Sequence, residues 1–361
     1  MDQGGSEAAV GVAIIGCGDV ARHYLEGMAS HPELAVVGAF DRNPGRAASV
    51  LQGTGARAYD SLDDLLGDDA VEVVVNLTRQ RQHFDLTTLL LERGLHVYSE
   101  KPLAPTFAEA SRLVELADTK GVRLACAPLA SLGDAQSQAW RLVSSGRLGR
   151  VRVVYAEANW GRIESWHPRP QDFYDVGPTF DVAVYPLTLV TSILGPAATV
   201  RAAADTLLPE RRTLDGEPFV AGAPDFSTAV LTLRDGTLVR LTASFYVPLA
   251  SRQRGVEFHG DDGSLHLDSA LWFDAAVALC EPGDGEYAPV APDVPRRTRL
   301  DYARGLAAFA RAIRGGGPHH GSGAQAAHAV EIIEAIHASA KTKEEIVLTS
   351  SFPLPDPPAL P

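Results

Sequence analysis

Three cysteines, two methionines and four lysines are scarce residues in a chain of 361. Cys17, Cys126 and Cys280 lie far apart, with no CxxC pair and no metal-ligand spacing. This argues against a disulfide scaffold and against structural zinc. Basic residues number 32 against 45 acidic ones, a formal net charge of −13. So acidic a chain is a poor nucleic-acid binder, because neutralised phosphates supply most of that affinity. No uninterrupted apolar run approaches the length that spans a bilayer. Met1 to Ala9 is small and polar, without the basic stretch and apolar core of an export signal. These absences lead us to expect a soluble, cytoplasmic protein with no metal, nucleic-acid or membrane partner. There is no internal repeat. What is present is ordinary globular composition, 45% hydrophobic and 21% charged, long enough for two domains.

The scarcity of lysine makes one position conspicuous. Lys101 closes the stretch Val97-Tyr98-Ser99-Glu100-Lys101-Pro102, where a short apolar strand ends in a charged pair. An ammonium can donate to a substrate hydroxyl and can shift its pKa on burial, and a guanidinium cannot do the second. Pro102 fixes the backbone beyond it, and an X-Pro bond is the one place where a cis peptide is cheap. A surface strand end with a salt-bridging lysine has the same pattern, so the rest of the chain must decide.

The first third alternates strands and helices. Val10 to Ile15 is rich in β-branched residues, as a buried parallel strand is. It runs into Gly16-Cys17-Gly18-Asp19-Val20-Ala21, a G-x-G-x-x-A motif between strand and helix. Gly16 permits the turn, Gly18 lets the backbone approach a pyrophosphate, and Ala21 lets helix and strand pack closely. Free N–H groups at the helix start then face the phosphates. A second strand, Leu34 to Phe40, ends at Asp41, where a carboxylate accepts from adenosine ribose hydroxyls. This favours NAD, while Arg42 beside it keeps NADP open. Asp41 could also cap the helix opened by Pro44. Further strands are expected at 71–77, 95–99 and 122–126, with helices near 61, over 83–93, and after the capping box Thr106-x-x-Glu109. Gly16, Asp41, Thr78 and Lys101 then sit at strand exits, the carboxyl edge where doubly wound sheets bind ligands.

The second half differs. A helix over 135–145 precedes long, partly alternating strands at 150–160, 199–207, 226–234, 237–246, 255–259, 264–268 and 271–280. Asp235-Gly236 and Asp262-Gly263 are hairpin signals. The fold class is therefore an α/β Rossmann doubly wound parallel sheet followed by an α+β domain with a large, mainly antiparallel open sheet. Expected domains are 1–127, 128–298, C-terminal helices over 299–345 (Arg299 to Arg314, then Ser322 to Lys341), and a last strand with a proline-rich tail over 346–361. The chemically loaded segment is Glu164 to Tyr185. Trp166-His167-Pro168 leads through Tyr174-Asp175 to Gly177-Pro178, a proline suited to a first helical position. Asp181, Tyr185 and Thr188 then share one helix face, and Pro186 should kink that helix. A buried structural Tyr–Asp pair is the competing explanation.

With these residues in view, the chain resembles the Gfo/Idh/MocA family of NAD(P)-dependent oxidoreductases. The likeness covers nearly the whole chain. It rests on the glycine motif, on Asn76-Leu77-Thr78 followed by His83, on Glu100-Lys101-Pro102-Leu103-Ala104, and on Gly177 through Pro186. It implies that Gly16, Cys17, Gly18, Asp19, Val20, Asp41 and Arg42 line the cofactor, as do Asn76, Leu77, Thr78, His83, Glu100 and Lys101. It implies that Lys101 holds the substrate hydroxyl and that Asp181 and Tyr185 complete the proton-transfer site. Trp166, His167 and Tyr174 are further candidates for substrate contact. Many members carry histidine where this chain has Tyr185, while sugar-oxidising relatives have tyrosine. Two departures touch the pocket: Arg79 and Gln80 stand where similar members often have prolines, and the glycine run before the catalytic helix is reduced to Gly177.

The expected reaction moves a hydride between a nicotinamide cofactor and a secondary alcohol or ketone of a sugar, polyol or sugar derivative. A phenol with an ordinary pKa of about 10 is a poor base at neutral pH. A neighbouring Lys101 ammonium would lower it and a hydrogen bond to Asp181 would orient it. The resemblance also implies a homodimer or homotetramer through the sheet domain. NAD-assisted cleavage or epimerisation of a sugar, and a non-catalytic NAD- or sugar-binding regulator, are the alternatives.

Overall fold

The structure, a computed structural model, describes residues 8–127, 129–297 and 300–359. Residues 1–7 of the polar N-terminal stretch lie outside the described residues, as do Pro128, Thr298, Arg299 and the last two residues of the tail. The chain divides into two compact units, Met1–Leu129 with Asp301–Val330, and Ala130–Leu300 with Glu331–Pro361. Among the described residues no helix is long and apolar enough to cross a membrane.

The first unit opens with β1 (Val10–Ile15), α1 (Asp19–Met28), β2 (Leu34–Phe40), α2 (Pro44–Val50), β3 (Arg57–Ala58) and α3 (Leu62–Leu66). It continues with β4 (Val73–Asn76), α4 (His83–Glu92), β5 (His96–Ser99), α5 (Phe107–Lys120) and β6 (Leu124–Cys126). All strand pairs are parallel, in the order β3-β2-β1-β4-β5-β6. Every residue of β1 and β4 is buried, which is why both read as apolar runs, interrupted only by Asn76 at the end of β4. The order reverses between β1 and β4, the switch point where such sheets open a ligand crevice. The capping box of α5 forms as the sequence predicts: Glu109 N donates to Thr106 Oγ1 at 3.3 Å and Thr106 N to Glu109 Oε2 at 3.1 Å. The two residues of β3 are exposed, so no apolar pattern marks that strand.

The second unit begins with α6 (Asp134–Ser144) and β7 (Val151–Asn159), then α7 (Gln171–Tyr174), α8 (Pro178–Asp181) and α9 (Val184–Leu194). Strands follow as β8 (Ala197–Asp205), β9 (Glu210–Arg212), β10 (Pro218–Val220), β11 (Phe226–Leu233) and β12 (Leu238–Ser244). Then come β13 (Gly255–Gly260), β14 (Gly263–Leu267), β15 (Val277–Cys280) and β16 (Ala288–Pro289). α10 (Arg304–Gly315) and the first part of α11 (Gly323–Thr342) belong to the first unit again, and β17 (Ile346–Val347) to the second. The large sheet runs β16-β15-β14-β13-β7-β12-β11-β8-β17, antiparallel throughout except that β12 lies parallel to β7. Both Asp-Gly signals fall at hairpin turns, between β11 and β12 and between β13 and β14.

Two expectations are corrected here. The strand expected over 271–280 forms only from Val277. Its first part turns away because the Ser269 hydroxyl accepts from both Leu271 N and Trp272 N at 3.1 Å. The single kinked helix expected after Pro178 is two helices, α8 and α9, and Pro186 lies in the first turn of α9. There the missing N–H is one of the donors that a helix start leaves unpaired anyway, so the proline bends nothing.

A buried ionic cluster joins the short β9–β10 ribbon to the rest of this unit. Arg211, with no exposed side-chain surface, donates to Glu164 at 2.6 Å and to Asp225. Its guanidinium carbon lies 4.2 Å from the Tyr174 ring centre. Asp225 also accepts from Leu207 N at 2.7 Å and Leu208 N at 3.2 Å.

Candidate active site

The first unit assembles its candidate residues along one edge of the parallel sheet. Gly16 has φ +96°, and a Cβ there would sit 2.7 Å from Leu77 O. Any side chain would therefore drive β1's exit into β4's exit. Gly18 precedes α1 in extended backbone, and a Cβ there would meet nothing within 4 Å. Open space above a helix start is the room a pyrophosphate needs. Asp41 ties the two motifs together. One carboxylate oxygen accepts from Cys17 N at 2.8 Å and the other from Asn43 N at 2.8 Å. Asn43 rather than Asp41 caps α2, accepting from Gly45 N at 3.2 Å. Cys17 itself is buried, and its thiol is pushed up to about 12 by burial and then by Asp41. It stays a neutral thiol, and its N–H is spent on Asp41. Asp19, Val20 and Arg42 are exposed beside this edge.

The loop after β4 is held from below. Asn76 is fully buried, donates to Thr87 Oγ1 at 3.2 Å and accepts from Thr78 Oγ1 at 2.6 Å and Thr78 N at 3.2 Å. His83 is also buried, with Nδ1 at 2.6 Å from Pro102 O and Nε2 at 2.9 Å from Thr78 O. Asn76 and His83 thus position the loop that carries Leu77 and Thr78. At the next exit, Glu100 accepts from Tyr24 Oη at 2.9 Å and from Lys101 N at 3.0 Å. Burial, then the Glu100 charge, keeps the Tyr24 phenol protonated. The Lys101–Pro102 peptide is cis. Lys101 is half-buried, at the same sheet edge as the glycine loop. Nothing in the helix-face position of Tyr24 signals a partner 76 residues away.

In the second unit, Gly177 starts α8 at φ +79°, and a Cβ there would sit 2.8 Å from Pro224 O. One glycine is enough to make this turn. Asp181 ends α8 and Tyr185 lies in the first turn of α9, so the pair is set by the break at Val182-Ala183 and not by one continuous helix face. Both side chains are half-buried. Tyr185 lines a cleft of about 190 Å³ bounded by the end of β7, the 249–255 segment and the 268–272 turn. Trp166 and His167 stand apart from that cleft's lining, in an aromatic cluster with Phe173; the His167 and Phe173 rings are 4.8 Å apart. Tyr174 needs correction as a substrate contact. It has no exposed surface, its hydroxyl donates to Glu164, and burial followed by that hydrogen bond raises its pKa. It belongs to the Arg211 cluster.

The parallel sheet, its glycine loop and the acidic exit of β2 define a dinucleotide-binding oxidoreductase domain joined to a large-sheet domain. Sequence models of two domains match this chain: the oxidoreductase family with an NAD-binding Rossmann fold over residues 10–127, and the GFO/IDH/MocA C-terminal domain over 137–266. The chain belongs to the Gfo/Idh/MocA family of oxidoreductases. It is 28% identical over 354 residues to a dTDP-3,4-didehydro-2,6-dideoxy-alpha-D-glucose 3-reductase of Streptomyces violaceoruber, covering 94% of this chain and 98% of the relative. It is 27% identical over 303 residues to a UDP-N-acetylglucosamine 3-dehydrogenase of Acidithiobacillus ferrooxidans, covering 82% and 88%. The fold matches a levoglucosan dehydrogenase solved with NADH and levoglucosan, with a TM-score of 0.81 at 19% identity over 94% of this chain and 99% of that one.

Proposed function

We propose that the chain binds NAD(H) through Gly16, Gly18, the start of α1 and Asp41, and interconverts a secondary alcohol and a ketone on a sugar. The observation that carries this reading is the exit of β5. There Glu100, held by Tyr24 and by Lys101 N, fixes the base of a lysine at the sheet edge that carries the dinucleotide loop. Asp41 favours NAD over NADP, because a 2′-phosphate would face a carboxylate. Bound nicotinamide supplies the hydride transfer.

The chain's own residues handle the proton and the charge. The Lys101 ammonium donates to the substrate hydroxyl and stabilises its alkoxide character. Tyr185 takes the hydroxyl proton in oxidation and returns it in reduction, with Asp181 orienting the phenol. The test is steady-state kinetics of Lys101→Ala and Tyr185→Phe on the best sugar of a panel. Each should lower turnover by roughly 10²- to 10⁴-fold, while NADH affinity by fluorescence titration stays unchanged. Turnover close to that of the unsubstituted chain in both variants overturns the assignment.

We also propose that two copies pair through the open face of the large sheet. Tyr155, Arg240 and Val230 are register neighbours across β7, β12 and β11, and Leu238 shares their face. Tyr155, Val230 and Leu238 are 37%, 49% and 45% exposed, an apolar patch that a second copy would cover. Val230→Glu should shift the mass measured by light scattering toward monomer; an unchanged mass counts against this face.

A further inference from the structure

The cleft that Tyr185 lines says more about the substrate than the family does. Its volume of about 190 Å³ is below the roughly 300–1,000 Å³ that encloses a drug-sized ligand, so it has room for one ring. Trp160 and Trp272 both line it, and Trp272 is 46% exposed. Large aromatic surface with little else to cover it suits the C–H face of a sugar ring.

The polar groups are equally particular. Asn159 is 7% exposed, and its Nδ2 is committed to Gln253 O at 3.2 Å and to Glu157 Oε2 at 3.4 Å. Those two acceptors set the amide's orientation and leave Asn159 Oδ1 buried with no hydrogen-bond partner. That oxygen has almost no accessible surface in this conformation, so a ring hydroxyl reaches it once the side chain turns toward the cleft, and the bond then offsets the cost of a buried acceptor without a donor. The charges of the lining are Glu157, Asp268 and Arg254. Arg254 is already bound to Asp268 at 2.6 Å, and Glu157 to Arg240 at 2.6 Å. The lining therefore carries more negative than positive charge, and its one cation is already paired with a carboxylate.

We propose that this cleft takes the ring of a neutral, unphosphorylated sugar, with Trp160 and Trp272 against its apolar face and Asn159 Oδ1 accepting from a ring hydroxyl, and that it discriminates against sugars carrying a nucleoside diphosphate. A diphosphate needs fixed cations and donors, and here it would meet paired carboxylates. The inference rests on reading Tyr185 as the proton-transfer residue. It separates this chain from the two nucleotide-sugar relatives named above in the direction of the levoglucosan enzyme.

The experiment uses the full chain saturated with NADH for binding and with NAD⁺ for turnover. Free pyranoses, methyl glycosides and anhydro-sugars are titrated against UDP-glucose and dTDP-glucose, following tryptophan fluorescence and initial rates. At least one neutral sugar should bind, with a kcat/KM at least about tenfold above that of either nucleotide sugar. Trp272→Ala, on an exposed side chain, should raise KM for that sugar at least about tenfold, as loss of apolar pocket contact does, with kcat and NADH affinity little changed. Preference for a nucleotide sugar, an unchanged KM in Trp272→Ala, or no response to any neutral sugar each overturns the proposal. Undiminished turnover in Tyr185→Phe would remove the catalytic assignment and leave the fluorescence result on sugar class to be judged by itself.

Discussion

The two units hold their functional residues by different means. In the first, backbone groups carry much of it at the strand exits, with Asn76, His83 and Tyr24 adding side-chain support: a positive-φ glycine against Leu77 O, Asp41 on two backbone N–H groups, Glu100 on Lys101 N. In the second, side chains from remote segments do more of the holding, through Arg211 between Glu164 and Asp225 and the amide of Asn159 on Gln253 O, beside a local Ser269 turn that carries Trp272. Those backbone devices sit inside short recognisable motifs, even where the partner is remote. Side-chain networks join segments tens of residues apart, so they tolerate substitution less and announce themselves less.

The widest gap between the units should come from their ion pairs. Arg211→Ala leaves two buried carboxylates without their cation and should cost about 3–5 kcal/mol in urea unfolding. Arg314→Ala, which breaks the part-exposed pair with Glu72, should cost about 1 kcal/mol or less. Equal losses would break the contrast. Next is Gly16→Ala. A side chain at that φ carries about 1–3 kcal/mol of strain, and a loop that relieves it by leaving the binding conformation should lose roughly 5- to 150-fold of NADH affinity by fluorescence titration. Retained affinity would show that the loop is not held as tightly as its geometry requires.

A further effect appears in acid. His319, beside Leu124 O and Arg123, is depressed to about 4, first by burial. The unfolded chain takes up a proton near pH 6.5 and the folded chain does not until about pH 4. The stability associated with this neutral ring is therefore complete above about pH 6.5 and is lost as pH falls toward the folded value. Melting temperatures from pH 7.5 to 4.5 should fall less steeply in His319→Phe than in the unsubstituted chain; parallel profiles would remove the histidine from the acid response.

Legibility followed the same division. The strand over 10–15, the glycine loop, the α5 capping box and both Asp-Gly hairpins were readable because each is a local pattern with a local cause. The break between α8 and α9, the burial of Tyr174 and the early end of the expected 271–280 strand were not. The burial of Tyr174 depends on Arg211, remote in sequence, and on Glu164; the end of the expected strand depends on a nearby serine hydroxyl whose acceptor role no periodicity records; and the α8–α9 break has no residue pattern of its own.

By itself, the amino-acid order determined the parallel sheet, the dinucleotide loop and the family, since β-branched runs, glycines at forced turns and short capping patterns act over a few residues. Only the tertiary structure decided that Tyr174 supports a buried ion cluster while Tyr185 lines a cleft with Trp160 and Trp272. Burial and side-chain partnership come from segments that meet after the chain has folded, and the spacing of residues along the chain carries no record of that meeting.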